Sequence, residues 1–248
     1  MLEIERDPYV HHSCEHLKHL GVKAVFFDLD DTCIHTHSMF IDHMRSFSEA
    51  VAIDLHLDPE KVFHRLHEIN TEEHQRPGVE PSRWLTIVDC LGQELGNSQT
   101  VLKHFPIIQD IYISEPQTIP GIRSVLSGLQ KEGFLLGQVT HGETDWSLRK
   151  NDQSGITSYF DAIITADVYD SKNESHWLQA MSLLEVTPEQ CLITGDSLHG
   201  DIRPAVALGA KSFGLKSPWG VFNQGDYPSE TVILNRISDF WDAVQKLV

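Results

Sequence analysis

The sequence is poor in the residues that build covalent frameworks, membrane spans and nucleic-acid grips. Its four cysteines, Cys14, Cys33, Cys90 and Cys191, are far apart and form no C-x-x-C pair. That spacing argues against a disulfide framework. It predicts reduced thiols that behave as small apolar residues in a cytoplasmic compartment. No apolar run approaches the roughly 18 residues of a transmembrane helix. The opening stretch MLEIERDPYVHHSCEHLKHL mixes charges with histidines and has no apolar centre, so neither a signal peptide nor a membrane anchor is expected. Basic residues are scarce: 19 Lys and Arg stand against 36 Asp and Glu, a net charge of −17. Such acidity opposes binding to a nucleic acid polymer or an anionic membrane. An anionic substrate would need local groups or a bound cation to attract it. Internal repeats and low-complexity tracts are absent, and the fifteen histidines are scattered as surface residues would be.

With 248 residues, 40% of them hydrophobic, the chain can form one large domain or a domain with a smaller insert around a sizeable core. Short apolar runs occur at KAVFF, FLLGQVT (134–140), AIITA (162–166), CLITG (191–195) and KSFGLK (211–216). They have the character of strands buried on both faces of a parallel sheet. From residue 116 onward they alternate with helical patterns at 121–133, 144–152, 173–185 and 201–210, which predicts a doubly wound α/β core. Residues 38 to 113 read as helices alone. Phe40, Met44, Phe47 and Val51 recur at helical spacing, and Asp58 and Pro59 make a helix start. Two further helices are predicted over 81–96 and 98–114, the latter kinked at Pro106. The expected organisation is therefore a core of residues 1–36 and 116–248, with an all-helical cap of residues 37–115 inserted after the first strand.

The predicted first strand ends in Asp28, Asp30 and Asp31, three acids within four residues. Ligands of open parallel sheets bind at the carboxyl ends of the strands. Other polar clusters fall at such ends: Thr140 and His141, Asp196 with Asp201, and Lys172. Several carboxylates around one point suit a hard cation, above all Mg2+. Such an ion would offset the repulsion among Asp28, Asp30 and Asp196 and hold a phosphate oxygen. Lys172 adds a second positive charge, and Thr140 adds a hydroxyl with backbone N–H groups beyond it. Asp28 then reads as a nucleophile and Asp30 as a general acid and base, with Asp31 a solvated loop acid. Thr32 is expected to fix the loop. His35 and His37 form an H-x-H pair, read as part of the hinge into the cap more than as a zinc site.

These stretches resemble the four motifs of the haloacid dehalogenase (HAD) superfamily, in order and over residues 23 to 210. They are VFFDLDDT with Asp28, Asp30 and Thr32, GQVTHG with Thr140, DSKNESHWL with Lys172, and ITGDSLHGDI with Asp196 and Asp201. The helical insert is similar to the caps of members that hydrolyse small phosphorylated metabolites. Phosphoglycolate phosphatases, nucleotidases and N-acylneuraminate-9-phosphate phosphatases are examples, and the spelling of the fourth motif is most similar to the last two groups. The resemblance implies a magnesium-dependent phosphatase. Its metal would be held by the Asp28 carboxylate, the Asp30 main-chain carbonyl and Asp196, with Asp201 as a direct or water-mediated support. Thr140, His141 and Lys172 would meet the phosphate. His141 stands where Asn is common, and Asn173 where Pro is common. Asp30 separates phosphoester hydrolysis from dehalogenation, because a departing halide needs no proton. A phosphomutase of the same superfamily and a non-catalytic magnesium- or phosphate-binding module are the alternatives. Lys61 and Lys103, the lysines of the insert, have no setting that suggests a Schiff base.

Overall fold

The computed structural model describes residues 7–73 and 81–248. Residues 1–6, with which the expected core segment begins, and residues 74–80 of the helical insert lie outside the described residues. Six parallel strands form one sheet: β1 (Ala24–Phe27), β2 (Leu135–His141), β3 (Ala162–Ala166), β4 (Cys191–Gly195), β5 (Lys211–Leu215) and β6 (Val232–Leu234), in the order β3-β2-β1-β4-β5-β6. The sixth strand is an addition to the five expected from sequence. It has only three residues, and Ile233 within it is exposed.

β1 lies in the middle, with Phe27 opposite Gln138 of β2 on one side and Thr194 of β4 on the other. Its four residues are all buried because both faces are covered. Val25 and Phe27 pack with α1 (Pro8–His19), α7 (Ile122–Lys131) and α11 (Phe240–Val244). Ala24 and Phe26 pack on the opposite face with α9 (Glu174–Leu183) and α10 (Arg203–Leu208). A Cβ on Gly137 would stand 2.3 Å from the Phe26 ring, so β2 keeps glycine where that ring lies flat across it. α1 was not expected from sequence. Asp7 caps it by accepting from the Tyr9 N–H, and its buried stripe is only Ser13, Cys14 and Leu17.

Between β1 and α7 the described residues form helices without a strand. The α-helices there are α2 (Thr36–Leu55), α3 (Pro59–Glu73), α4 (Arg83–Glu94), α5 (Ser98–Lys103) and α6 (Phe105–Gln109). They enclose a second core, in which Met44, Phe47, Val51, Leu66, Trp84, Ile87 and Leu91 are inaccessible to solvent. Each such side chain contributes about 1.5–3 kcal/mol through burial. The segment expected as one helix kinked at Pro106 is instead two helices broken at His104, with Pro106 inside the first turn of α6. Proline is tolerated there because first-turn N–H groups have no helical partner. α8 (Thr144–Ser154) follows β2 and returns beside the site.

Candidate active site

The sheet brings together the carboxyl ends of β1, β2 and β4. Asp28 is the first residue beyond β1, and its N–H donates to Thr194 O of β4 at 2.9 Å, which continues the ladder and fixes the side chain. Asp28, Asp196 and Asp201 are buried, and each offers an oxygen within 4.8 Å of the other two. Burial first, and then the charges of Asp201 and Asp30, push the Asp28 carboxyl up to about 7, against the pull of Lys172. Asp196 is pushed well above the ordinary carboxyl range by burial and then by Asp28 and Asp201. Hard oxygen donors whose mutual repulsion raises their proton affinity fit a divalent cation of the magnesium type.

Lys172, in the loop after β3, is 8% exposed. Its Nζ pairs with an Asp28 oxygen, lies 2.6 Å from Asp201 Oδ1 and donates to Val139 O at 3.3 Å. Burial works against its charge, but Asp201 and Asp28 outweigh that and raise its pKa. Asp201 sits in a π-helical turn over Leu198–Ile202 and accepts the Ser197 N–H on Oδ2 at 2.9 Å. It is therefore not the cap of the following helix. A Cβ on Gly195 would fall 2.2 Å from that same Oδ2, so the glycine ending β4 is what lets Asp201 reach the cluster.

The Thr140 hydroxyl is buried and has no hydrogen-bond partner among the described residues. A buried hydroxyl left this way costs about 1–3 kcal/mol, which suits a ligand oxygen as its missing partner. His141 also faces the cleft with Nε2 buried and unpartnered. Burial and then Lys172 lower its pKa, which favours the neutral ring. Thr32 does not tie the loop through its hydroxyl, which makes no hydrogen bond. Backbone bonds do that instead, from Asp31 N–H to Ile34 O and from Cys33 N–H to Leu29 O, both 2.8 Å.

Asp31 corrects the sequence reading of a solvated acid. It adopts a left-handed φ of 57° and accepts the His37 N–H at 2.9 Å and the Trp219 indole N–H at 3.0 Å. Burial pushes its carboxyl up to about 7. Trp219, after β5, also packs edge-on to His37 at 4.5 Å and stacks on His67 of α3. Asp31 thus anchors an indole that joins the loop after β1, the first turn of α2 and α3. Lys61 is exposed, and Lys103 pairs with Asp54 at 2.8 Å.

Sequence reasoning missed Lys150. It is 1% exposed, and its Nζ lies 2.5 Å and 2.7 Å from the two oxygens of Asp30. The Thr36 hydroxyl donates to Asp30 Oδ1 as well. A signal was present on α8, whose buried residues Ser147, Lys150, Asn151 and Ser154 recur at helical spacing with no large apolar side chain among them. An inward stripe of that kind needs polar partners. Asn151 finds one in Gln138 through paired amide bonds of 2.6 and 3.1 Å. Over the acids opens a cleft of about 620 Å³, walled on the cap side by Phe40, Arg83 and Tyr112 and on the core side by Trp146 and Trp219.

Fold and site together define a doubly wound α/β protein built around a strand-end carboxylate cluster beneath a helical insert. The chain belongs to the haloacid dehalogenase-like hydrolase family, whose sequence model matches residues 25–215. It is similar to the glyceraldehyde 3-phosphate phosphatase of Pyrococcus furiosus, at 23% identity over 88% of each chain. It is also similar to the N-acylneuraminate-9-phosphatase of Rattus norvegicus, at 25% identity over 77% of this chain and 81% of the relative. Among solved structures, a haloacid dehalogenase-like family hydrolase from Xanthomonas campestris superposes with a TM-score of 0.69 at 18% identity over 91% of each chain. No helix among the described residues is long and apolar enough to cross a membrane.

Proposed function

We propose that the protein is a magnesium-dependent phosphatase that hydrolyses a small phosphorylated metabolite through an aspartyl-phosphate on Asp28. The names of the two relatives support phosphate monoesters as the substrate class. The observation that carries the reading is the pair of first-motif carboxylates. Asp28 is buried against Lys172, and Asp30 lines the cleft two residues on with a side chain 28% exposed.

In this mechanism an Asp28 oxygen attacks phosphorus, an O–P bond forms, and the ester P–O bond breaks. Asp30 delivers a proton to the departing oxygen and so releases an alcohol. Water then gives a proton to the Asp30 carboxylate as its oxygen bonds to phosphorus. The acyl-phosphate P–O bond breaks, and inorganic phosphate and free Asp28 result. Lys172 and the Thr140 hydroxyl meet the phosphoryl oxygens throughout, and His141 faces the same cleft. A magnesium ion held by the Asp28 carboxylate, the Asp30 main-chain carbonyl and Asp196, with Asp201 in support, would neutralise charge on the transferring group. The four free thiols, three of them buried, suit a reducing, cytoplasmic compartment.

The test is phosphate release from sugar phosphates, nucleotides and short phospho-acids, with and without EDTA. Turnover with magnesium on at least one ester, lost on chelation and in Asp28→Asn, is expected. No turnover on any ester would favour a binding module instead. Normal turnover by Asp28→Asn would remove Asp28 from the nucleophile's role.

A further inference from the structure

We propose that Lys150 is a positioning residue for Asp30, which it fixes from beneath the cleft together with Thr36. The inference rests on the phosphatase reading, since it concerns the group that moves protons there. Lys150 is almost wholly buried and is not among the residues that line the cleft, so it does not touch a substrate held there. Trp146 does line the cleft, and its ring covers the ammonium at 3.9 Å from the centroid.

Asp30 Oδ1 receives two donors, Lys150 and Thr36, whereas Oδ2 receives Lys150 alone at 2.7 Å. The bonding is asymmetric. It holds the carboxylate plane and leaves Oδ2 as the oxygen with free capacity to carry a proton. A lysine buried beside one carboxylate is poor value as a staple, because the desolvation of both charges offsets their attraction. It is effective as a clamp, because a carboxylate gripped at both oxygens cannot rotate. Thr36 opens α2, so one end of the clamp lies on the first helix of the cap and the other on α8 of the core.

The experiment compares the full chain with Lys150→Met, Lys150→Arg, Asp30→Asn and the Asp30→Asn/Lys150→Met double variant, all with magnesium. Two esters are used: p-nitrophenyl phosphate, whose phenolate departs without a proton, and an alkyl phosphate, whose alkoxide does not. Loss of a placed proton donor through misorientation is expected to lower kcat/KM on the alkyl ester by about 10- to 100-fold. On the aryl ester kcat/KM should change by less than about threefold. Lys150→Arg should recover part of the loss, and Lys150→Met should add nothing in the Asp30→Asn background. Equal loss on both esters, or full additivity with Asp30→Asn, would overturn the proposal and leave the phosphatase reading intact. Wild-type protein inactive on both esters would overturn that reading and this inference with it. Should Lys150→Met not fold, Lys150→Gln is read for the same split between esters.

Discussion

In the metal-free protein, replacing Asp28 by asparagine should stabilise the fold. Asp28 is buried among Asp196 and Asp201, and its carboxyl is carried from 3.8 to about 7. A displacement of that size disfavours the ionised form by about 4 kcal/mol at most. The sign follows from linkage. A carboxyl raised in the folded state binds more protons folded than unfolded between pH 4 and 7. The destabilisation is thus absent below that window and complete above it. Metal-free wild type should therefore lose stability as pH rises from 5 to 8, whereas Asp28→Asn should lose less. In a chain of this length about 1 kcal/mol moves Tm by about 2–4 °C, so the variant should gain up to about 16 °C on wild type at pH 8 and about a third of that at pH 5. Thermal melts in EDTA at the two pH values read this directly. Saturating magnesium should narrow that gap, since an ion present at a hundred times its Kd adds about 2.7 kcal/mol to the form that binds it. Parallel pH dependence of the two proteins in EDTA, with no magnesium effect on wild type, would refute the idea that this cluster is a strained cation site.

Two further outcomes follow from packing. Gly195→Ala would press a methyl into Asp201, so it should cost about 1–3 kcal/mol and weaken magnesium binding, as melts and metal titration would show. Of the four thiols only Cys90 is not buried, and burial pushes Cys14 and Cys191 up to about 12. A thiol reagent at pH 8 should therefore label Cys90 first and the other three only after unfolding, with modified sites mapped by mass spectrometry.

The strands were legible because parallel strands buried on both faces are mostly apolar, as Ala24–Phe27 is throughout and Cys191–Gly195 is apart from Thr194. β6 escaped notice because a three-residue edge strand with an exposed Ile233 carries no such run. α1 was missed because its inward stripe of Ser13, Cys14 and Leu17 is too weakly apolar to set a period, although Asp7 and Pro8 marked its start. Asp28, Thr140, Lys172, Asp196 and Asp201 could be gathered from order alone, because each stands at or beyond the end of a recognisable strand. Asp31 and Lys150 could not. What donates to Asp31 is an indole 188 residues away, and what partners Lys150 is a carboxylate 120 residues away. Such partners are set by tertiary packing and not by local pattern.

The proposed mechanism requires a carboxylate oxygen of Asp28 to take the phosphoryl group. Rapid acid quench during turnover of a hydrolysed ester, followed by peptide mass analysis, tests this most directly. One phosphoryl group on the peptide carrying Asp28, labile to hydroxylamine and absent from Asp28→Asn, is the predicted result. A phosphoryl group on another residue, or turnover in Asp28→Asn at the wild-type rate, would contradict the account.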